Sequence, residues 1–174
     1  VALSICLLFD NRSEQALRKL WDRLEDRGIA TLRSHTHRRH RPHLSYVVLL
    51  QWELATVREA VAALPDGGPV DLSFDALGTF RRGRTCLVPA VPGDLVPRQQ
   101  AVAEKVRATS ALVHEHYEVG RWLPHCSIAP RTRLEQLSIV AGTVYDILPL
   151  AVRITNAALI DSSTGQIWPL PNVP

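Results

Sequence analysis

Short, wholly apolar runs alternate along the chain with stretches in which apolar residues recur every three or four positions. "ALSICLLF" (2–9) is apolar almost throughout and reads as a buried strand. Leu17, Leu20, Trp21 and Leu24 then share one helical face; Asn11 with Glu14 fits a capping box at its start, and Gly28 stops it. "HLSYVVLL" (43–50) predicts a second strand. Leu54, Val57, Val61 and Leu64 predict a short helix that "PDGG" (65–68) ends. "VDLSFDALGTF" (70–80) and "RTCLVPAV" (84–91) predict a hairpin around a basic turn containing Gly83. Val102, Val106, Thr109 and Val113 place a helix over 97–115. "HCSIA" (125–129) predicts another strand. Thr132 with Glu135 then suggests a capping box ahead of the helical face Leu134, Leu137, Ala141, Val144 and Leu148. Strands at 150–160 and 166–169 flank the turn "DSSTG".

The order β-α-β-α-β-β-α-β-α-β-β predicts one α+β domain over 1–174, built of two similar lobes. The length of 174 residues suits one domain with its own core. No run of 18 or more apolar residues encodes a membrane helix. The opening lacks the basic flank and cleavage site of a signal peptide, and the first residue is Val, as after a trimmed start. A cytoplasmic protein without membrane contact is expected. Cys6, Cys86 and Cys126 are odd in number, form no CxxC and sit in strand-like runs, so reduced, buried thiols are expected. The net charge is only +3, but "RSHTHRRHRPH" (33–43) and "FRRGR" (80–84) concentrate the basic residues, which suits a phosphate-bearing ligand.

One phrase occurs twice: "RPHLSY" (41–46) and "LPHCSI" (123–128) share Pro-His-x-Ser. Side chains alternate faces along a strand. His43 and Ser45 therefore point one way and Leu44 and Tyr46 the other, and His125 and Ser127 are likewise opposed to Cys126 and Ile128. Two such strands facing across a cleft offer two imidazoles and two hydroxyls around one volume. In-line displacement at phosphorus needs one proton removed from the attacking oxygen and another delivered to the leaving oxygen. A histidine pair can hold base and acid together near neutral pH. The serine hydroxyls can donate to the non-bridging oxygens without a metal.

At these residues the chain resembles the 2H phosphoesterase superfamily, in the branch named for bacterial and archaeal 2′-5′ RNA ligases. The resemblance runs through the opening strand and helix, both motifs and "ALGTFRRGRTCLVPAV", which is similar to the family's Phe-containing hairpin. It implies a bilobal 2H phosphoesterase fold: two pseudo-symmetric lobes of antiparallel strands, helices outside, and the active-site cleft between them. It also implies a metal-independent phosphodiesterase that hydrolyses 2′,3′-cyclic phosphates of RNA ends or small nucleotides to 2′-phosphates, with reversible 2′-5′ ligase chemistry on the same residues. His43 and His125 carry over as the catalytic pair, with His43 as acid and His125 as base; Ser45 and Ser127 carry over as phosphate ligands. No cofactor is implied, and a monomer is expected. Members of the family commonly place an arginine five residues after the second histidine. Here Pro130 holds that position and Arg131 follows it.

Other readings use the same chain. "HTHRRH" (35–40) is similar to a His-x-His-x-Asp-His metal motif, but Arg39 occupies the aspartate position and repels a cation. Cys126 beside His125 points to the opposite face and is expected in the core. His114 and His116 lack zinc-helix spacing and are expected at the surface. Phe80 and Trp122 are candidate stacking platforms for a base. The rival function is a non-catalytic RNA- or nucleotide-binding module on the same fold, which would need no acid–base pair.

Overall fold

β1 (Leu3–Phe9) is buried along its whole length, because it lies inside the sheet and is covered on both faces. After it come α1 (Asn11–Glu25), β2 (His43–Gln51), α2 (Leu54–Ala62), and the hairpin of β3 (Val70–Phe80) and β4 (Arg84–Ala90). Then follow α3 (Leu95–Arg107), β5 (Leu112–Val113), β6 (Cys126–Ala129), α4 (Leu137–Tyr145), β7 (Leu150–Asp161) and β8 (Ile167–Pro169). The computed structural model describes residues 2–174. All eight strands join one antiparallel sheet in the order β5-β2-β1-β7-β3-β4-β6, with β8 on β7. The two expected lobes are thus halves of one continuous sheet, joined where β7 pairs with both β1 and β3.

The alternation of side chains divides the two faces. Leu3, Ile5, Leu7 and Phe9 of β1 enter the main core with Leu17, Leu20, Trp21 and Leu24 of α1. Cys6 and Leu8 point the other way into a small apolar cluster with Ala158, Ile160 and Ile167. α1 packs with α4, and α2 with α3. β2 and β6, near opposite ends of the strand order, touch without pairing, so the sheet curls until its ends meet. Two bonds fasten this approach. The Leu32 N–H donates to Ile128 O of β6 (3.1 Å), and the Trp122 indole N–H donates to Ser45 O of β2 (2.9 Å).

Four local expectations need correction. Asp10, not Asn11, caps α1 by accepting from Ser13 N–H (2.8 Å), while the Glu14 carboxylate is taken by Arg18 and Arg41. The helix expected over 97–115 ends at Arg107: Ser110 turns left-handed (φ 63°), and Leu112–Val113 pair with the edge of β2 instead. The cap near 132 shifts by one residue. Gln136 accepts from Arg133 N–H (3.0 Å) across a 3₁₀ turn at Leu134–Gln136, because the Thr132 hydroxyl is buried against Thr85 (3.2 Å). His125 directly precedes β6 rather than lying within it.

The hairpin turn depends on Gly83. Its φ is +78°, and a Cβ there would be driven into the Thr132 carbonyl, which belongs to the backbone and cannot swing aside. Gly28 has the same φ but open space around the missing Cβ. Gly83→Ala is therefore expected to cost about 2–3 kcal/mol and Gly28→Ala only about 1 kcal/mol, read by urea denaturation. Equal losses would mean that left-handed strain alone, and not the Thr132 contact, sets the requirement.

Candidate active site

The repeated prolines act through the carbonyl that precedes them. A residue before proline is pushed out of the helical region toward extended backbone. In both phrases that residue turns its carbonyl onto the histidine two positions on. His43 Nδ1 meets Arg41 O at 2.7 Å and His125 Nδ1 meets Leu123 O at 2.8 Å. With Nδ1 donating its proton to a carbonyl, the tautomer is fixed and Nε2 is left for other chemistry. Arg41 is itself held, since its guanidinium pairs with Glu14 of α1 (Nε–Oε2 3.1 Å).

His43, Ser45, His125 and Ser127 line one cleft of about 310 Å³. Leu44 and Tyr46, and Cys126 and Ile128, are fully buried on the core side, as strand parity requires. Beyond Ser45 the parity changes. Ile5 faces Val47 and Cys6 faces Ser45, so Tyr46 is an extra residue, and this β-bulge turns Val48 rather than Val47 toward the cleft. The carbonyls of Ser45 and Tyr46 at the bulge are satisfied by side chains: Trp122 on the first, and Gln99 Nε2 (3.2 Å) on the second. Gln99, 1% exposed, also donates to Tyr117 O (2.9 Å).

The duplication extends into the floor. Cys6 on β1 is the register partner of Ser45, with its sulfur 3.7 Å from Ser45 Oγ. Cys86 on β4 is the register partner of Ser127, with its sulfur 3.7 Å from Gly78 O. All three cysteines are free and buried. Burial pushes the Cys86 and Cys126 thiols up to about 12, which leaves them poor nucleophiles at neutral pH.

The surroundings of the two histidines differ. Burial works against charge on His43, but the Cys6 sulfur beside it and the Arg41 carbonyl outweigh that cost and raise its pKa to about 9. Burial also works against charge on His125. There the Leu123 carbonyl is insufficient compensation, and the charges of His43 and Arg84 add to the effect, so its pKa lies below the ordinary 6.5. The imidazoles are thus pushed apart across one cleft.

Of the other expected contacts, Phe80 sets its ring edge-on to His125, with centroids 4.8 Å apart. Trp122 spends its N–H on β2 and tilts against Tyr46 (5.9 Å), so it braces the bulge rather than serving as an open platform. Arg131 is exposed and does not line the cleft, whereas Arg84 does. Arg84 and Tyr117 are among the cleft residues that sequence reasoning missed. Arg84 stood in view within "FRRGR", but only the pairing of β4 with β6 brings it beside His125. Burial raises the Tyr117 phenol to about 12 and keeps it a donor at neutral pH. His40 stacks on His35 (centroids 5.8 Å), His37 lies tilted against His40 (4.1 Å), and Thr36 Oγ1 meets His40 Nε2 at 2.9 Å. Among the described residues, no group of three or more His, Cys, Asp or Glu side chains is arranged to hold a metal ion. No helix of the described residues is long and apolar enough to cross a membrane.

Comparison with known proteins gives the same frame. Among solved structures, Usb1 of Kluyveromyces marxianus with uridine monophosphate superposes with a TM-score of 0.54 at 13% identity, covering 98% of each chain. The MHV ns2 PDE domain superposes with a TM-score of 0.54 at 16% identity, covering 97% of this chain and 98% of that one. A further phosphoesterase gives 0.56 at 11% identity, covering 97% and 94%. At these identities the likeness is one of fold. No curated protein matches the sequence. The sequence pattern of the 2′-5′ RNA ligase superfamily matches residues 12–166, most of the chain and both Pro-His-x-Ser phrases, and the chain belongs to that superfamily.

Proposed function

We propose that the cleft is the active site of a metal-independent phosphodiesterase that opens 2′,3′-cyclic phosphates on RNA ends or nucleotides, with His43 as general acid and His125 as general base. The observation that carries this reading is the pair of histidines on one cleft, locked at Nδ1 and shifted in opposite directions. A His43 pKa near 9 and a His125 pKa below 6.5 keep the first protonated and the second neutral at pH 7. The fold's likeness to a structure solved with uridine monophosphate supports a nucleotide substrate.

In this mechanism His125 Nε2 takes a proton from water as its oxygen attacks phosphorus. The bond from phosphorus to the 3′ oxygen breaks, and His43 Nε2–H protonates that oxygen, leaving a 2′-phosphate. Ser45, Ser127 and the Arg84 guanidinium donate to the non-bridging oxygens and offset their charge. The two histidines end with their protonation states exchanged, and solvent resets them. A 5′ ribose hydroxyl attacking in place of water, with the same loss of the 3′ oxygen, forms a 2′-5′ linkage, which is the ligase direction of the same chemistry. The branch of the superfamily named for bacterial and archaeal 2′-5′ RNA ligases is the one this arrangement suits, with the chain acting as one monomeric domain.

His43→Ala and His125→Ala are each expected to lower kcat by about 10²–10⁴ with the fold retained by circular dichroism. Ser45→Ala and Ser127→Ala should each cost about 1.5–3 kcal/mol of transition-state stabilisation. Activity should persist in EDTA, and the product of uridine 2′,3′-cyclic phosphate should be the 2′-phosphate when resolved against both standards. A 3′-phosphate would exchange the roles of the two histidines. Oligonucleotide binding without any turnover would favour the binding-module reading.

The pH profile follows from the two shifts. His125 must be neutral, so kcat/KM falls as pH drops through its pKa, below 6.5. His43 must be protonated, so kcat/KM falls as pH rises through about 9. Cys6→Ala removes the sulfur that favours charge on His43, so the alkaline limb should move to lower pH while the acid limb stays. NMR titration of the two imidazoles in the same variant checks the assignment without relying on turnover. An unmoved alkaline limb would show that Cys6 does not set the acid.

A further inference from the structure

The loop that carries the histidine stack shares the cleft with the reactive pair. His35, Thr36 and His40 line it together with His43 and His125. The loop has no helix or strand, yet it is folded on itself: Arg38 N–H donates to His35 O (3.0 Å), Arg39 N–H donates to His37 Nδ1 (3.0 Å), and Thr36 bonds His40. Thr36 and Arg38 hold left-handed backbone (φ 45° and 59°), which costs non-glycine residues free energy and points to a shape that does something. Gly165, in the turn between β7 and β8, makes room for the His37 ring and the Arg39 Cβ.

Charge along three of the segments that form the cleft is one-sided. None of the 17 Asp and Glu residues falls within 27–52, 76–93 or 119–134, and no carboxylate lines the cleft. Two of the loop's arginines are spoken for, Arg33 by Asp22 and Arg41 by Glu14. Arg38 and Arg39 are exposed and have no carboxylate partner among the described residues; across the cleft, neither does Arg84. Three segments free of carboxylates around a phosphate-sized site, with two unpaired guanidiniums exposed on the loop that helps line it, suit more negative charge than one cyclic phosphate carries. Burial and the neighbouring histidines hold His40 down to about 4, so at neutral pH its ring is uncharged and stacks on His35, a flat surface at the cleft edge.

We propose that the loop at 33–41 is a second phosphate subsite that holds the backbone of a single-stranded RNA leading up to the reacting end, with Arg38 and Arg39 on its phosphates and the exposed ring of His35 under a base. The subsite rests on the phosphodiesterase reading for the placement of the strand's end, and it narrows the substrate from a mononucleotide to an RNA strand. Arginine recognises phosphate through its planar fork, and a histidine ring can stack on an unpaired base.

The test compares uridine 2′,3′-cyclic phosphate with a fluorescein-labelled hexauridylate ending in the same group. It uses the full chain, Arg38→Ala/Arg39→Ala, and Arg58→Ala/Lys105→Ala as an equal change of charge on helices of the opposite face. The wild type should prefer the oligomer, and Arg38→Ala/Arg39→Ala should lower the oligomer-to-mononucleotide ratio of kcat/KM about ten-fold at 50 mM salt. The slope of log binding constant against log salt, read by fluorescence anisotropy, should shrink by about 1.4, that is about 0.7 for each phosphate that an arginine no longer neutralises. The helix variant should leave both readings near wild type. Equal effects from the two double variants, or an unchanged ratio and slope in Arg38→Ala/Arg39→Ala, would overturn the subsite. Anisotropy also keeps the two readings apart: no turnover of either substrate, together with oligomer binding that depends on Arg38 and Arg39, removes the phosphodiesterase reading and supports the subsite.

Discussion

The hydrogen bond from each histidine's Nδ1 to the carbonyl two residues behind it is the interaction on which the rest of the site depends. It fixes a tautomer, sets the ring orientation and leaves Nε2 free. It also explains why a proline belongs in the repeated phrase. Proline contributes no group to the cleft; its ring restricts the preceding residue so that the carbonyl points at the imidazole. Behind the first copy stands Glu14, which holds the Arg41 guanidinium and so ties the lock to α1. That carboxylate is mostly buried, and its arginine partners keep its pKa below the ordinary value in spite of the cost of burial. The residue that fits a helix cap by spacing therefore serves the site, and Asp10 takes over the cap.

A lock on each strand matters only if the strands face each other, and that is a property of the sheet. An antiparallel sheet twists, and this one curls far enough for β2 and β6 to touch. The bulge at Tyr46 increases the local bend, and the carbonyls left there are capped from outside by Trp122 and Gln99. These two side chains do for β2 what a neighbouring strand would otherwise do, since β5 reaches only Leu49 and Gln51. The Leu32–Ile128 bond ties the far side. The cleft is thus held shut at its base by backbone partners, while its mouth is left to arginines and aromatic rings.

Much of this was legible in the sequence, for identifiable reasons. Period-two alternation assigned His43 and Ser45 to one face and Leu44 and Tyr46 to the other, because that rule holds over any four regular strand residues. It could not reveal the bulge, which depends on how β1 pairs with β2. The hairpin with Gly83 was legible because a left-handed turn has few residues to choose from. The end of α3 was not: Val113 continues the helical spacing, and only the free edge of β2 claims it as a strand. Arg84 shows the same limit at the site. Its sequence neighbours Arg81 and Arg82 look equivalent to it, yet pairing across β4 and β6 brings Arg84 alone of the three into the cleft.

The duplicated phrases raise a final physical question, since two identical locks would titrate alike and give no distinct acid and base. Symmetry is broken below the motifs. Each serine has a cysteine as its register partner, but the Cys6 sulfur turns to Ser45 and sits against His43, whereas the Cys86 sulfur turns away to the Gly78 carbonyl. On the other side burial works against charge on His125, and the charges of His43 and Arg84 add to it. Burial works against charge on both imidazoles, but the sulfur beside His43 outweighs it there, so the two matching groups shift in opposite directions. The strands repeat the geometry, and the proposed division into acid and base rests on their unlike surroundings.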